Sequence, residues 1–98
     1  MRVIHKQQLR QDSSGYCFLK LPQFSKILKI AIDPKDGGTY AWYLFDQSYE
    51  KILELRRFFM FGTGWDIDDD NLEYISTVFQ GPFVWHYFEE KFFRNTSE

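Results

Sequence analysis

Short apolar segments separated by turn-forming residues set the strongest limit on what this chain can fold into. Residues 58–79 show the pattern in full: an apolar run, a Gly-Thr-Gly-Trp turn, an acidic connection and a second run rich in β-branched residues. Alternation of apolar and polar side chains over such short segments is typical of strands, and few segments show helical spacing. The sequence therefore predicts an all-β domain.

The same alternation predicts six or seven mostly antiparallel strands. They cover residues 2–9, 16–21, 26–32, 39–45, a segment ending at 61, 74–79 and 83–88, and the first is expected at a sheet edge. Turn residues at 33–38 and 80–82 predict hairpins between the strands that flank them. The polar cluster at 11–15 predicts a third hairpin, between the first two strands.

These elements indicate a small single-domain sandwich or open barrel with at most a short helix, over residues 1–90. Residues 91–98 are expected to form a polar C-terminal tail, in which Phe92 and Phe93 either dock back on the domain or face a partner. The segment from Asp46 to Leu55 fits helical spacing in its first half and a strand in its second. We predict a loop or helical turn through about residue 50, followed by a strand.

Composition excludes several classes of protein. The 98 residues carry a net charge of −2 with both signs interspersed, so direct nucleic-acid binding is disfavoured. The apolar runs are too short to span a bilayer, and the N-terminus lacks a signal-peptide pattern, which favours the cytoplasm. The single cysteine, Cys17, excludes an intramolecular disulfide or a multi-cysteine metal site, and we expect it to be buried.

A glycine-rich turn is the first candidate binding element. Gly62, Thr63 and Gly64 could present backbone amides to a phosphate. The established phosphate loops need a lysine and a hydroxyl residue after the second glycine, or a longer spacing, and neither is present. A glycine turn that redirects the chain at a sheet edge is therefore the competing interpretation.

Charged and aromatic neighbours of this turn extend the candidate site. Arg56 and Arg57 precede it on a predicted strand, and Trp65 follows it. An arginine for charge and an indole face for stacking would suit a nucleotide-like ligand. The sequence thus keeps a small-molecule site open beside a purely structural turn.

An acidic connection follows the turn. It contains four aspartates: Asp66, Asp68, Asp69 and Asp70. Three of them have the spacing of a calcium loop, but its glycine and glutamate positions are Asn71 and Thr77 here, which argues against calcium. We expect a solvated turn whose carboxylates imitate a phosphate backbone or bind a basic partner surface.

His86 is the remaining candidate. It lies on a predicted strand, on the opposite face from Phe83, Trp85 and Tyr87. Catalysis would require a partnered nucleophile or further ligands brought in by the fold, and no enzyme motif is present in the chain. A structural or surface histidine is the simpler interpretation.

Several separate blocks of the chain resemble a family of small proteins encoded by tailed phages and prophages. The family pattern reads K-I-L-S-V, L-W-A, V-G-T-G-H, Y-I-G-T-V and F-V-W-H-V-F-E, and the matching blocks here are 26–28, 41–42, 58–64, 74–78 and 83–89. The chain departs from the pattern at Trp65, where the family often has histidine, and in a longer, more apolar connection over 46–56. The resemblance implies a phage origin and an all-β domain, with no assigned activity.

The functional expectation is a non-catalytic, phage-encoded accessory protein of the bacterial host's cytoplasm that binds and inhibits a host protein, with antiviral defence as one setting. The alternatives are an oligomeric sponge for a nucleotide-like small molecule and a minor virion component. We expect no enzymatic activity, no cofactor and no metal. Because aromatic residues make up 20% of so small a domain, we also expect a homo-oligomer.

Overall fold

Seven strands account for most of the chain. The computed structural model describes residues 1–10 and 14–96, with side chains described through Lys91. The elements are β1 (Arg2–Gln8), β2 (Tyr16–Pro22), β3 (Lys26–Ile32), β4 (Thr39–Asp46), a 3₁₀ helix (Gln47–Tyr49), β5 (Leu53–Gly62), β6 (Leu72–Gln80) and β7 (Phe83–Thr96). In this part of the chain no helix has the length or the apolar character needed to cross a membrane.

The strands form two sheets in which every pair is antiparallel. One sheet has the order β1-β4-β3, and the other has the order β2-β5-β7-β6. The predicted all-β fold is confirmed. The sheets bury a shared core that includes Ile30, Ala41 and Phe45 from the first sheet and Leu21 and Phe58 from the second.

Strand pairing confirms two predicted hairpins and overturns the third. β3 pairs with β4 and β6 pairs with β7, as the turn residues between them predict. β1 and β2 do not form a hairpin, because β1 pairs with β4 and β2 pairs with β5 in the other sheet. The chain instead passes from one sheet to the other between β1 and β2, and Cys17, Leu19 and Leu21 of β2 are buried in the core. Residues 11–13 of the predicted turn lie outside the described residues.

The segment after β4 folds as predicted, and the C-terminal segment does not. Asp46 caps the 3₁₀ helix, its Oδ1 accepting a hydrogen bond from the Ser48 amide at 3.0 Å, and β5 follows. The predicted tail instead continues β7 to Thr96, because its backbone pairs with the start of β5, placing Thr96 opposite Glu54. The side chains of Phe92 and Phe93, and residues 97–98, lie outside the described part.

An ion pair joins the two edges of the first sheet. Lys6 Nζ on β1 donates a hydrogen bond to Asp33 Oδ2 at 2.5 Å, at the end of β3, and the Lys35 amide donates to Asp33 Oδ1 at 3.0 Å. Together these two donors, the Lys6 ammonium first, hold the pKa of Asp33 below its ordinary value of 3.8. The same contact raises the pKa of Lys6.

Acid should weaken the ion pair between Lys6 and Asp33. Because the folded protein lowers the pKa of Asp33, the unfolded chain takes up the proton more readily as the pH falls. The stabilisation is therefore present above pH 3.8 and is lost as the pH drops through the lowered pKa. We expect the midpoint of urea unfolding to fall less steeply below pH 3.8 in Asp33→Asn than in the wild type. Superimposable curves for Asp33→Asn and the wild type would contradict the assignment.

Candidate functional site

A cleft lined by aromatic rings lies where β5 ends. Gly62, the last residue of β5, is opposite Trp85 of β7, and the Trp65 amide donates a hydrogen bond back to the Gly62 carbonyl at 3.2 Å. Gly64 adopts a φ of +88°, which glycine tolerates without steric cost. The resulting turn folds the Trp65 ring over Gly62. We call the adjoining space, about 370 Å³, the aromatic cleft; it is lined by Gly62, Thr63, Trp65, Pro82, Phe83, Val84 and Trp85.

Three rings define the surface of the aromatic cleft. The Trp65 and Trp85 centroids are 5.8 Å apart in an edge-to-face arrangement, and Phe83 stacks on Trp85 at 5.7 Å. Trp85 Nε1 donates to Gln80 Oε1 at 3.1 Å, which satisfies its only donor. Trp65 and Phe83 remain 57% and 56% exposed. The cleft therefore combines ordered rings with apolar area still open to solvent.

The close approach of Trp65 to Gly62 leads to a prediction. A Cβ atom at residue 62 would lie 2.8 Å from Trp65 Cε2, so Gly62→Ala should push the ring off Trp85 and destabilise the fold by about 1 kcal/mol. We expect a changed near-ultraviolet circular dichroism signal from the Trp65–Trp85 pair. Gly64→Ala is the matched control, because a Cβ there meets nothing within 4 Å. It should lower the melting temperature through backbone strain and leave the tryptophan signal in place; an unchanged signal in Gly62→Ala would contradict the prediction.

A chain of hydroxyl groups fixes the glycine turn to the sheet through His86. Thr63 Oγ1 shares a hydrogen bond with His86 Nε2 at 2.8 Å, and Thr77 Oγ1 shares one with His86 Nδ1 at 2.9 Å. Tyr74 Oη completes the chain at 2.6 Å from Thr77 Oγ1. A threonine hydroxyl beside a histidine resembles a nucleophile with its base, but the far ring nitrogen meets a neutral hydroxyl instead of a carboxylate that would stabilise an imidazolium. The arrangement is suited to holding the turn.

The acidic connection borders a second cleft that also contains Trp65. We call this space, about 400 Å³, the acidic cleft; it is lined by Ser14, Gly15, Phe59, Met60, Phe61, Trp65, Asp66, Asp68, Asp69 and Leu72. Asp69 Oδ1 accepts a hydrogen bond from the Asn71 amide at 2.8 Å, which shapes the connection. Within the described residues, no group of three or more His, Cys, Asp or Glu side chains is placed to hold a metal ion.

Neither candidate arginine lines the aromatic or the acidic cleft. Arg56 is 3% exposed in the interior, where Nε and Nη2 bind the two carboxylate oxygens of Glu89 and Nη1 binds the Ser25 carbonyl. Arg57 points to the other face of β5, and its Nε donates to Glu90 Oε2 at 2.6 Å. Each arginine thus has a carboxylate partner within the fold.

Arg57 is also held by aromatic rings on the outer face of the four-stranded sheet. Its guanidinium lies 5.0 Å from the Phe59 centroid, 5.2 Å from that of Tyr16 and 5.8 Å from that of Phe18. A cation stacked on several rings and paired with a carboxylate is fixed in position. Arg57 therefore stabilises the sheet face.

The structure brings together part of the predicted site. Gly62, Thr63 and Trp65 line the aromatic cleft. The acidic cleft is lined by Trp65 together with Asp66, Asp68 and Asp69. Gly64 and Asp70 lie between β5 and β6 but line neither cleft. His86 supports the turn through Thr63. The rings of Phe83, Trp85, Phe59 and Phe61 were not predicted as site residues. The sequence does show that the segments of β5 and β7 are rich in aromatic residues, which could have indicated these rings. Nothing in the sequence indicates that β5 and β7 are neighbours in one sheet.

Comparison with known proteins gives one match. A family model described as a domain of unknown function, DUF7352, matches residues 1–97. The chain belongs to this family. Comparison with curated proteins and with solved structures gives no match. The family description names neither an activity nor a source, so the phage resemblance remains a prediction, and the function has to be argued from the two clefts.

Proposed function

We propose that this DUF7352 domain is a non-catalytic binding protein that captures a protein partner at the aromatic cleft. The observation that carries the proposal is the exposure of Trp65 and Phe83, both ordered against Trp85. Binding energy at protein interfaces concentrates in a few residues, among which tryptophan is enriched. Rings that are already ordered lose little conformational entropy when a partner covers them.

The charges near the clefts favour a protein partner over a nucleotide. A nucleotide sponge needs cations facing its phosphates, whereas Arg56 is paired with Glu89 and Arg57 with Glu90. The acidic cleft would in addition bring Asp66 and Asp68 towards a phosphate. The nucleotide alternative is therefore the weaker one.

The resemblance to phage proteins extends the proposal to a biological setting. A domain of 98 residues that covers a surface of a bacterial host protein would inhibit it by blocking access, without chemistry of its own. Proteins of host antiviral defence are one class of target. Self-association is the competing use of the aromatic cleft, with a second copy taking the partner's place.

Site-specific photocrosslinking in bacterial cells tests the proposal. A benzoylphenylalanine at residue 83 should give an adduct with one defined protein, and Trp65→Ala should abolish it. The same photoreactive group at Phe24, which is 70% exposed and lines neither cleft, is the control. An adduct of two copies of this chain, or adducts equal to those of the control, would overturn the proposal.

A nucleotide panel completes the test. A ligand at one hundred times its dissociation constant stabilises a protein by about 2.7 kcal/mol, so binding would appear as a clear thermal shift. We expect no shift. A nucleotide-specific shift that is lost in Trp65→Ala would overturn the protein-partner proposal in favour of the sponge.

A further inference from the structure

We infer that the aromatic and acidic clefts form one groove across Trp65, and that its occupant is a basic segment of the partner: an apolar or aromatic anchor flanked by lysine or arginine. This inference rests on the proposed function and adds the chemistry of the partner. Its first support is geometric, since the Trp65 side chain lines both spaces. A segment bound over Trp65 would contact both at once.

Aromatic rings line the groove on both sides of Trp65. In the aromatic cleft Phe83 stacks on Trp85, and in the acidic cleft Phe59 stacks on Phe61 with centroids 6.2 Å apart and planes 10° apart. The faces of such rings attract cations as well as apolar groups. Clefts of about 370 and 400 Å³ are at the small end of binding pockets, suited to individual side chains.

Charge complementarity decides which segment fits. Asp66, Asp68 and Asp69 line the acidic cleft, and Asp70 is exposed beside them. Among the described residues that line either cleft there is no lysine or arginine. A basic side chain would therefore meet carboxylates and ring faces together, whereas an acidic one would be repelled by the carboxylates.

The same charges argue against a second copy of the chain as the occupant. The chain carries a net charge of −2, and its acidic connection would approach a like-charged molecule. A basic partner segment gains from the rings and from the carboxylates. A second copy gains mainly from the rings.

Three synthetic peptides of one length test the inference. Each carries a single central tryptophan, and its four flanking positions hold lysine, glutamine or glutamate. We expect the lysine peptide to bind at least tenfold more tightly than the glutamine peptide, at roughly two- to fivefold per contacting charge, with the glutamate peptide weakest. Fluorescence anisotropy gives the dissociation constants. The difference should shrink between low and high salt, because exposed charges are screened.

Two charge-reversal variants test whether the acidic cleft causes the preference for the lysine peptide. Asp68→Lys should remove most of the preference for the lysine peptide. Glu50→Lys changes the net charge equally at the exposed residue that follows the 3₁₀ helix, and it should keep the preference. Equal preferences in the two variants would overturn the acidic cleft as the site of recognition.

The outcomes separate this inference from the proposed function. Equal binding of the lysine and glutamine peptides, both lost in Trp65→Ala, would overturn the basic segment and leave the aromatic cleft as a protein site. Absence of binding by every peptide at millimolar concentration would also overturn the inference, and crosslinking at residue 83 would then decide the proposed function independently. Binding of the glutamate peptide alone would reverse the assigned charge.

Discussion

Replacing Arg56 with methionine is expected to lower the free energy of unfolding by about 3–5 kcal/mol, the largest effect of any single change proposed for this fold. The substitution removes the guanidinium that binds both oxygens of Glu89, a side chain that is itself 3% exposed. It also removes the donor to the Ser25 carbonyl and the cation 4.0 Å from buried Glu54. Two carboxylates would then lie in the interior without their described cation, at a cost well above that of the lost packing.

Urea unfolding at low temperature measures this effect. A loss of this size is a large part of the stability of a domain of this length and corresponds to a fall in melting temperature of at least about 12 °C. Arg57→Met is the matched control, since it removes the same charge from the more exposed pair with Glu90 and should cost about 1 kcal/mol. Similar losses of unfolding free energy in the two variants would show that the buried pair of Arg56 with Glu89 contributes no more to stability than the more exposed pair of Arg57 with Glu90.

A double variant keeps the prediction falsifiable if Arg56→Met fails to fold. Arg56→Met combined with Glu89→Leu removes both charges of the pair and should be more stable than Arg56→Met alone. The physical reason is that an unpaired interior carboxylate costs more than an apolar side chain in its place. A double variant less stable than the single one would contradict the assigned origin of the loss.

Replacing Trp65 with alanine is expected to weaken partner binding at least thirtyfold, because a central interface tryptophan contributes about 2 kcal/mol or more. Trp65 lines both clefts and contacts Trp85, so its removal opens the groove along its whole length. The fold should survive, since the ring is more than half exposed. We expect a loss of about 1 kcal/mol in stability, or roughly 4–8 °C in melting temperature.

Binding of the crosslinked partner, or of the lysine peptide, measures the effect of Trp65→Ala. Phe79→Ala is the control, because Phe79 is 74% exposed and lines neither cleft. It should change the affinity by less than threefold. Equal losses in the two variants would indicate a general contribution of exposed rings and would remove the groove as the binding site.

Local sequence patterns were sufficient for most individual strands. β3, β4, β6 and β7 begin within two residues of their predicted starts, because alternation is a local property of the backbone. The turns at 33–38 and 80–82 specify hairpins since their residues favour turn conformations. The end of β7 was missed because pairing with distant β5 extends it through residues 89–96, most of which are charged or polar.

Pairing between strands distant in sequence could not be predicted in the same way. The assumed β1–β2 hairpin failed because the polar cluster at 11–15 allows a hairpin and also a crossing between sheets. The contact of Arg56 with Glu89 spans 33 residues. The sequence predicts Arg56 on a strand, as a candidate ligand-binding residue, and Glu89 just after the end of the last strand. Neither composition nor periodicity indicates that such a pair is buried.

By itself, the sequence determined the all-β class, the strands, two hairpins, the glycine turn and the acidic connection after it. Each of these depends on backbone preferences of neighbouring residues. The tertiary structure alone placed β7 between β5 and β6, paired the candidate arginines with Glu89 and Glu90, and set Trp65 against Trp85. These contacts depend on which distant surfaces bury each other. For that reason the residues of the candidate anion site lie at two clefts whose described lining contains no lysine or arginine.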